Sequence, residues 1–356
     1  MMNQSIWKKK KQYTPEELPT QIIVEILSRL PIKTLFHCLL ITNQSLDQTH
    51  LQKPPESTQL RLIDLQCETQ LKFNSKINFP ILEHQTVTSC NGLLCLSCIS
   101  NPIYVCNPIL GEYITLPIST YDGKQQHRTI TAFGFSPMTN QYKVIQFFVY
   151  RVFDPINQAK AMIYTIGEGS WRDIGIVPYY LINRSVNSFV NGALHWLTFT
   201  QDSPDFIRCF DFGSEQFRVV PEPPECGLPR KNFMGFVRVG VLRDSLSISD
   251  FSNPFHWDIW IMKDYGIKES WSKEFVIGNV TGMRGYGDYY ETIMISKISE
   301  ILMHVNKGVL VLYSPKEGRV EKLNIDGINI NPAFCGAAHI PSFVSLKDVA
   351  KGESLK

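Results

Sequence analysis

Hydrophobic positions along this chain follow two different periods. Between Leu18 and Pro31 they recur at helical spacing: Leu18, Ile22, Ile23, Ile26, Leu27 and Leu30 form a broad stripe, and Val24 lies off it. Pro19 can open such a helix where its missing N–H is not needed, and Pro31 stops it. Apolar surface on two sides of so short a helix predicts two neighbours. From about residue 58 to 346 the helical period disappears. Short runs rich in Val, Ile, Phe, Tyr and Thr take over, separated by Gly, Pro, Asn and Asp, which predicts strands joined by turns.

The strand-like runs repeat. Cys106-Asn107-Pro108-Ile109-Leu110-Gly111-Glu112-Tyr113, Phe210-Asp211-Phe212-Gly213-Ser214-Glu215-Gln216-Phe217 and Tyr313-Ser314-Pro315-Lys316-Glu317-Gly318-Arg319-Val320 share one pattern. A β-rich run ends at a turn-forming Asn, Asp or Ser, and an apolar residue follows six positions later. Weaker copies are Tyr164 to Trp171 and, with a longer loop, Trp260-Ile261-Met262-Lys263 leading to Trp271. The markers Asn107, Thr165, Asp211, Met262 and Ser314 are separated by 58, 46, 51 and 52 residues, close to the period of a kelch-like propeller blade. A second, alternating element precedes several hairpins: Asn91-Gly92-Leu93-Leu94-Cys95-Leu96, Asn191-Gly192-Ala193-Leu194-His195-Trp196-Leu197, and Gly240-Val241-Leu242 continuing to Leu246-Ser247-Ile248. Two strand pairs per period make a four-stranded blade.

The expected fold class is therefore α+β multidomain: short N-terminal helices followed by an all-β propeller of kelch-like type. Five hairpins are visible, and the pieces Leu60-Arg61-Leu62-Ile63 and Ala337 to Val344 would close a sixth blade from both ends of the chain. Six blades are expected, with five and seven as the neighbouring counts. A β-sandwich shares the strand-and-turn pattern but not the regular period. The expected domains are a flexible tail over 1–17, helices over 18–40, a polar connector with Pro54-Pro55 over 41–57, the propeller over 58–346 and a flexible tail over 347–356.

Composition narrows the function classes. A net charge of +2 with scattered Lys and Arg leaves no basic face for nucleic acid, and the run Lys8 to Lys11 reads as a solvated tail. No run approaches the roughly 18 apolar residues that span a bilayer, and the first thirty residues lack the order of a signal peptide, so a cytosolic or nuclear protein is expected. In that compartment the nine cysteines are thiols. Only Cys95 and Cys98 have a metal-ligand spacing, with no second pair at finger distance, and an extended strand would point them to opposite faces, so no metal or other cofactor is expected.

Catalytic motifs are missing: no phosphate-cradling loop, no Gly-x-Ser-x-Gly elbow, no His-Glu-x-x-His. Gly282-Met283-Arg284-Gly285-Tyr286-Gly287 reads as an inter-strand loop, and His195-Trp196 and His256-Trp257 as packed or hydrogen-bonded strand pairs. Asp211, Asp250, Asp258 and Glu291 are the carboxylates a propeller glycosidase would need in converging pairs, a remote alternative. The chain is expected not to be an enzyme.

The helix over 18–31, followed by Ile32-Lys33-Thr34-Leu35, resembles the F-box, by which substrate receptors dock onto a Skp-type adaptor of a cullin ubiquitin ligase. Ser89-Cys90-Asn91-Gly92-Leu93-Leu94-Cys95-Leu96 with Tyr104-Val105-Cys106-Asn107-Pro108, then Asn191 to Trp196, then Asp258-Ile259-Trp260-Ile261-Met262 through Lys268-Glu269-Ser270-Trp271, resemble the landmarks of the plant F-box-associated domain. The resemblance implies the substrate-recognition subunit of an SCF-type ligase. Leu18, Pro19, Ile22, Ile26, Leu27, Leu30, Pro31 and Leu35 would bind the adaptor and, through it, the cullin. The propeller would bind a target protein, with Tyr179, Tyr180, Arg230, Lys231, Tyr286, Tyr289 and Tyr290 in its longer loops as candidate contacts.

One departure from the family stands out: after Cys38-Leu39-Leu40-Ile41-Thr42-Asn43-Gln44 the chain passes quickly to His50-Leu51-Gln52-Lys53, and a third F-box helix of roughly a dozen residues is missing. A propeller interaction module that no longer joins a ligase is the competing expectation.

Overall fold

A strand-forming run with a tight turn after it can satisfy its backbone groups locally, by pairing with the next run along the chain. In a computed structural model of the chain the β-rich region does this throughout. The structure describes residues 38–43, 60–64, 86–97, 102–119, 127–150, 159–178, 188–198, 206–224, 236–253, 255–278, 290–295, 300–305, 309–323 and 334–350.

Two strands come first, β1 (Cys38–Asn43) and β2 (Leu60–Asp64). Five four-stranded antiparallel blades follow, each wound from its first to its fourth strand in chain order. Blade 1 is β3 (Thr86–Cys90), β4 (Leu93–Ser97), β5 (Tyr104–Asn107) and β6 (Glu112–Thr115). Blade 2 is β7 (His127–Ser136), β8 (Gln141–Tyr150), β9 (Ala159–Thr165) and β10 (Trp171–Val177). Blade 3 is β11 (Ser188–Val190), β12 (Ala193–Leu197), β13 (Ile207–Asp211) and β14 (Gln216–Val220). Blade 4 is β15 (Val237–Leu242), β16 (Ser245–Asp250), β17 (His256–Met262) and β18 (Trp271–Gly278). Blade 5 is β19 (Tyr290–Ile295), β20 (Ile301–Val305), β21 (Val309–Ser314) and β22 (Arg319–Leu323). The chain ends in β23 (Phe334–His339) and one short helix, α1 (Leu346–Val349).

The sixth sheet draws on both ends of the chain, with strand order β2-β1-β23. Inner strands of neighbouring sheets lie against one another, β3 on β7, β11 on β15, β15 on β19, β19 on β23 and β23 on β3, and β7 lies on the second strand β12, so the ring closes into a propeller. The expectation of six blades is met in part. Five are complete, and the terminal pieces do meet, but in a three-stranded sheet. Its middle strand is Cys38–Asn43, expected as the end of a helix and the start of a connector. The propeller therefore begins at Cys38, not at residue 58. Of the helices expected over 18–40, residues 18–37 lie outside the described residues. At the other end, a free tail was expected from residue 347, whereas α1 docks with Leu346 and Ala350 buried.

The core lies between the blades. Leu93, Val105 and Ile114 of blade 1 meet Phe133, Val144 and Tyr164 of blade 2. Ile145, Phe147 and Ile163 of blade 2 meet Leu194, Trp196 and Phe210 of blade 3. Ala193, Cys209 and Val220 of blade 3 meet Leu246, Trp260 and Trp271 of blade 4, and Trp257, Ile259 and Ile277 of blade 4 meet Ile301, Met303 and Val311 of blade 5. Each Val, Leu, Ile, Phe or Met among them contributes about 1.5–3 kcal/mol when fully buried. Second strands have a blade on both sides, so β4, β12 and β20 are buried at every position, and β14 and β22 at the rim are mostly exposed. His195 and Trp196 are thus both buried, where strand alternation alone sends only one of them into the packing. Two rim tryptophans add polar staples: Trp171 Nε1 donates to Pro117 O of blade 1 at 2.7 Å, and Trp271 Nε1 to Pro221 O of blade 3 at 2.9 Å.

Closure is completed by residues 340–350, which cross blade 1 as a strap. Asn107 Nδ2 donates to Ser342 O and Val344 O, both at 2.9 Å, while its Oδ1 accepts from Ile109 N and shapes the turn. Glu112 accepts from Ser345 Oγ at 3.0 Å and from Leu346 N at 2.8 Å. Ser342 Oγ donates to Asn91 O at 3.2 Å, and Gly92, at φ +82°, leaves no room for a Cβ beside it.

Gly92→Ala is expected to displace the strap and to strain a positive-φ position, costing at least about 1–2 kcal/mol. Thermal unfolding and the rate of proteolytic cleavage after residue 340 check this. An unchanged melting temperature and an unchanged cleavage rate would show that the strap does not hold the ring.

Candidate functional site

The winding of each blade gives the ring two unlike ends. Connections between first and second and between third and fourth strands fall at one end of a sheet, and the remaining connections, including those from blade to blade, fall at the other. Contacts between neighbouring blades show that the first kind gather on one face. Tyr142, at the start of β8, donates to Asn91 O in the first turn of blade 1 at 3.1 Å. A Cβ on Gly192, in the first turn of blade 3, would lie 3.0 Å from Pro137 in the first turn of blade 2.

This short-turn end is tightly built. Asn91-Gly92 and Asn191-Gly192 have positive φ at both residues, the geometry of two-residue hairpin turns that their sequence predicts. Arg243-Asp244 does the same without glycine, at φ 52° and 57°, so Gly240 to Ile248 is a hairpin and not one continuous strand. Asp211 Oδ1 caps its turn through Gly213 N and Ser214 N. Lys143, almost fully buried in β8, donates to Phe212 O at 3.1 Å and Glu215 at 2.8 Å, and Arg172 reaches the same carboxylate at 2.7 Å. Burial alone would push the Glu215 carboxyl up; the two cations outweigh it and hold the group below its ordinary value.

The long connections leave from the opposite end. Residues 178–187, 221–236 and 279–289 each join the rim strand of one blade to the inner strand of the next, and they carry Tyr179, Tyr180, Arg230, Lys231, Tyr286 and Tyr289. Those six residues lie outside the described residues. Tyr290 is the first residue of β19, opposite Val305. The adaptor-binding candidates Leu18, Pro19, Ile22, Ile26, Leu27, Leu30, Pro31 and Leu35 also lie outside the described residues. The sequence reading missed Phe236, Phe255 and Val276, which are exposed at the long-connection end of blade 4. Phe255 carried a signal, an aromatic side chain directly after the turn-forming Ser252-Asn253-Pro254.

Between blades 3 and 4 the chemistry suspected at His195 becomes a structural row. Ser188, His195, Cys209 and Arg218 stand opposite one another across blade 3. Ser188 Oγ donates to Val239 O of blade 4 at 3.0 Å. His195 Nδ1 lies 3.0 Å from Ser188 O, a carbonyl that can only accept, so Nδ1 carries the proton and Nε2 accepts from Tyr265 Oη of blade 4 at 2.7 Å. This is the neutral imidazole, and burial holds its pKa down at about 4. His339, bonded to Ser89 Oγ at 2.8 Å, is likewise lowered to about 4 by burial.

Other candidates are absorbed into the fold, and Cys98 lies outside the described residues. Asp211 pairs with Arg218, and Asp258 sits between His256 Nδ1 at 2.9 Å and Lys273 Nζ at 2.8 Å. Asp250 stands opposite Asp258 but caps its own turn through Ser252 N. Cys90, Cys95 and Cys106 are buried free thiols. Burial pushes Cys95 up to about 12 and Cys90 and Cys106 higher still, against the thiolate that zinc requires. Among the described residues no three His, Cys, Asp or Glu side chains group as metal ligands.

Comparison with known proteins agrees with this architecture. Residues 38–345 match the family described as the F-box associated beta propeller domain. An Arabidopsis thaliana F-box protein is 30% identical to the chain over 88% of both sequences. An F-box/kelch-repeat protein from the same plant is 26% identical over 87% of this chain and 91% of its own. The Arabidopsis F-box protein CPR1 is 23% identical over 86% and 84%.

The two depressed histidines set a pH dependence. The unfolded chain takes up protons on both as pH falls below about 6.5, and the native state does not until about 4. Stability is therefore full above the unfolded pKa and falls through this window, by up to about 3 kcal/mol per histidine at its lower end. Unfolding midpoints of native and His195→Gln chains between pH 7 and 4.5 check this, with a shallower slope expected for the variant. Equal slopes would mean that His195 is not held neutral.

Proposed function

Because the chain belongs to the plant F-box proteins that carry an F-box-associated β-propeller domain, we propose that it is the target-recognition subunit of an SCF-type cullin ubiquitin ligase. The observation that carries this reading is the family match along the whole ring, residues 38–345. Among the described candidates His195 is buried, and Asp211 and Asp258 pair with Arg218 and Lys273. The receptor makes no bond itself. It raises the effective concentration of a target lysine beside a ubiquitin-charged enzyme carried by the rest of the complex. Its Skp-type adaptor, and through it the cullin, is taken by the stripe Leu18, Ile22, Ile26, Leu27 and Leu30, framed by Pro19, Pro31 and Leu35. The working compartment is the cytosol or nucleus.

One observation favours a second reading, a propeller interaction module outside any ligase. Cys38–Asn43, from which a complete F-box would continue into its third helix, is the middle strand of the closing sheet. Only the residues before Cys38 remain for the adaptor, so weaker binding than that of a complete F-box is expected.

Adaptor affinity of three full-length chains decides between the readings: native, Leu30→Asp, and one with a family-like third-helix segment inserted between His37 and Cys38. Insertion after Cys38 would cut β1 and open the ring. Burying the Leu30→Asp carboxylate in an apolar interface costs about 2–7 kcal/mol, enough to abolish weak binding. The receptor reading expects the native chain above this control and the inserted chain above the native. Native binding no better than Leu30→Asp leaves the interaction module.

A further inference from the structure

We propose that the target protein is held at the long-connection end of blade 4, and that it presents a segment with large apolar side chains there. This rests on the receptor reading above. Three large apolar residues stand out of the core at that end of one sheet: Phe255 is 72% exposed, Val276 56% and Phe236 42%. Phe236 precedes β15, and its carbonyl accepts from Phe251 N at 2.7 Å, which extends the ladder to the end of the sheet. Phe255 precedes β17, and Val276 lies near the end of β18, opposite Asp258. Three strand spacings of about 4.8 Å put them within about 15 Å of each other, a span that a few residues of extended peptide cover.

The charges beside them are already matched. Asp258 lies 2.8 Å from Lys273 Nζ, and Asp250 is spent on the Ser252 N–H. The surface therefore offers apolar area beside carboxylates already engaged within this chain, which suits an apolar segment better than a basic one. The chain's own ends do not start there. Cys38 stands opposite His339, and His339 leads into the strap over the Asn91-Gly92 turn, so both ends leave the ring at the short-turn end. The six residues after 350 reach at most about 20 Å. Residues 1–37 are long enough to reach the patch, but on the receptor reading residues 18–35 are held by the adaptor, so the occupant is another protein, bound on the face away from the one at which Cys38 enters the ring.

The probe is a phage-displayed library of random dodecapeptides selected on the full-length chain. Enriched peptides are expected to carry at least two large apolar residues. Their affinity should fall tenfold or more in the double variant Phe255→Ser, Val276→Thr, and stay within twofold in the control Met138→Ser, Ile267→Ser, which alters apolar residues exposed at the short-turn end. All four side chains are exposed, so unchanged thermal unfolding shows that both variants are folded. No enrichment, enriched peptides without apolar residues, or an equal loss in both variants overturns the proposal. So does a dimer in sedimentation that the blade 4 variant dissolves, since a second copy would then cover the surface. Adaptor binding is measured on the same samples. A native chain that holds the peptides at blade 4 but no adaptor refutes the receptor reading and leaves the surface standing.

Discussion

A ring of sheets stands only if its last member meets its first, and here that joint depends on both ends of one chain. Every blade buries its two faces against neighbours, so an open ring would expose two apolar faces at once and leave second strands such as β4 with water on one side. The joint is made by β23 pairing with β1, by β23 lying against β3, and by the strap hydrogen-bonded to Asn91, Asn107 and Glu112. Backbone pairing and strap hydrogen bonds carry much of this contact, where the joints between blades 1 to 4 combine apolar packing with single side-chain hydrogen bonds such as Trp171 to Pro117 and His195 to Tyr265. Such bonds are geometrically strict, which fits a seam that must close in a single register.

Closure also sorts the surface. The turns that interlock from blade to blade, through Tyr142 and Asn91, Lys143 and Glu215, and Gly192 beside Pro137, occupy the short-turn end together with the strap. What remains free to vary is the opposite end, where connections between blades are long. Rigid sheets that position variable loops are a common basis for recognition. The polar groups that look catalytic in a linear sequence serve this framework. His195 ties blade 3 to Tyr265 of blade 4, and Asp211 closes a turn.

The same constraint bears on the N-terminal segment. A strand with partners on both sides cannot also be part of a helix, so residues 38–43 belong to the ring or to a third F-box helix, not to both. Closing the ring pairs all six residues with β23 and five of them with β2, and at Leu40 that means Leu62 on one side and Ala337 on the other. Residues 38–43 are therefore not available to an F-box helix.

Much of this protein is determined by local sequence. Asn91-Gly92 and Asn191-Gly192 dictate hairpin turns because few other residues tolerate their φ, and Asn107 and Asp211 cap theirs with their own side chains, so the repeat and its period are legible without a structure. Leu60–Asp64 is legible as a terminal piece of the closing sheet. Three features are not. Cys38–Asn43 follows a helical stripe and becomes a strand only because β2 and β23, the latter some three hundred residues away, supply partners on both sides. His195 and Trp196 alternate like any strand pair, and only a blade on each face buries them both. Phe236, Phe255 and Val276 are distant in sequence and come to one end of one sheet only through the winding of blade 4. Turn chemistry is a property of neighbouring residues and is readable from them, whereas burial and the choice of face depend on which sheets stand on either side, and only the closed ring decides that.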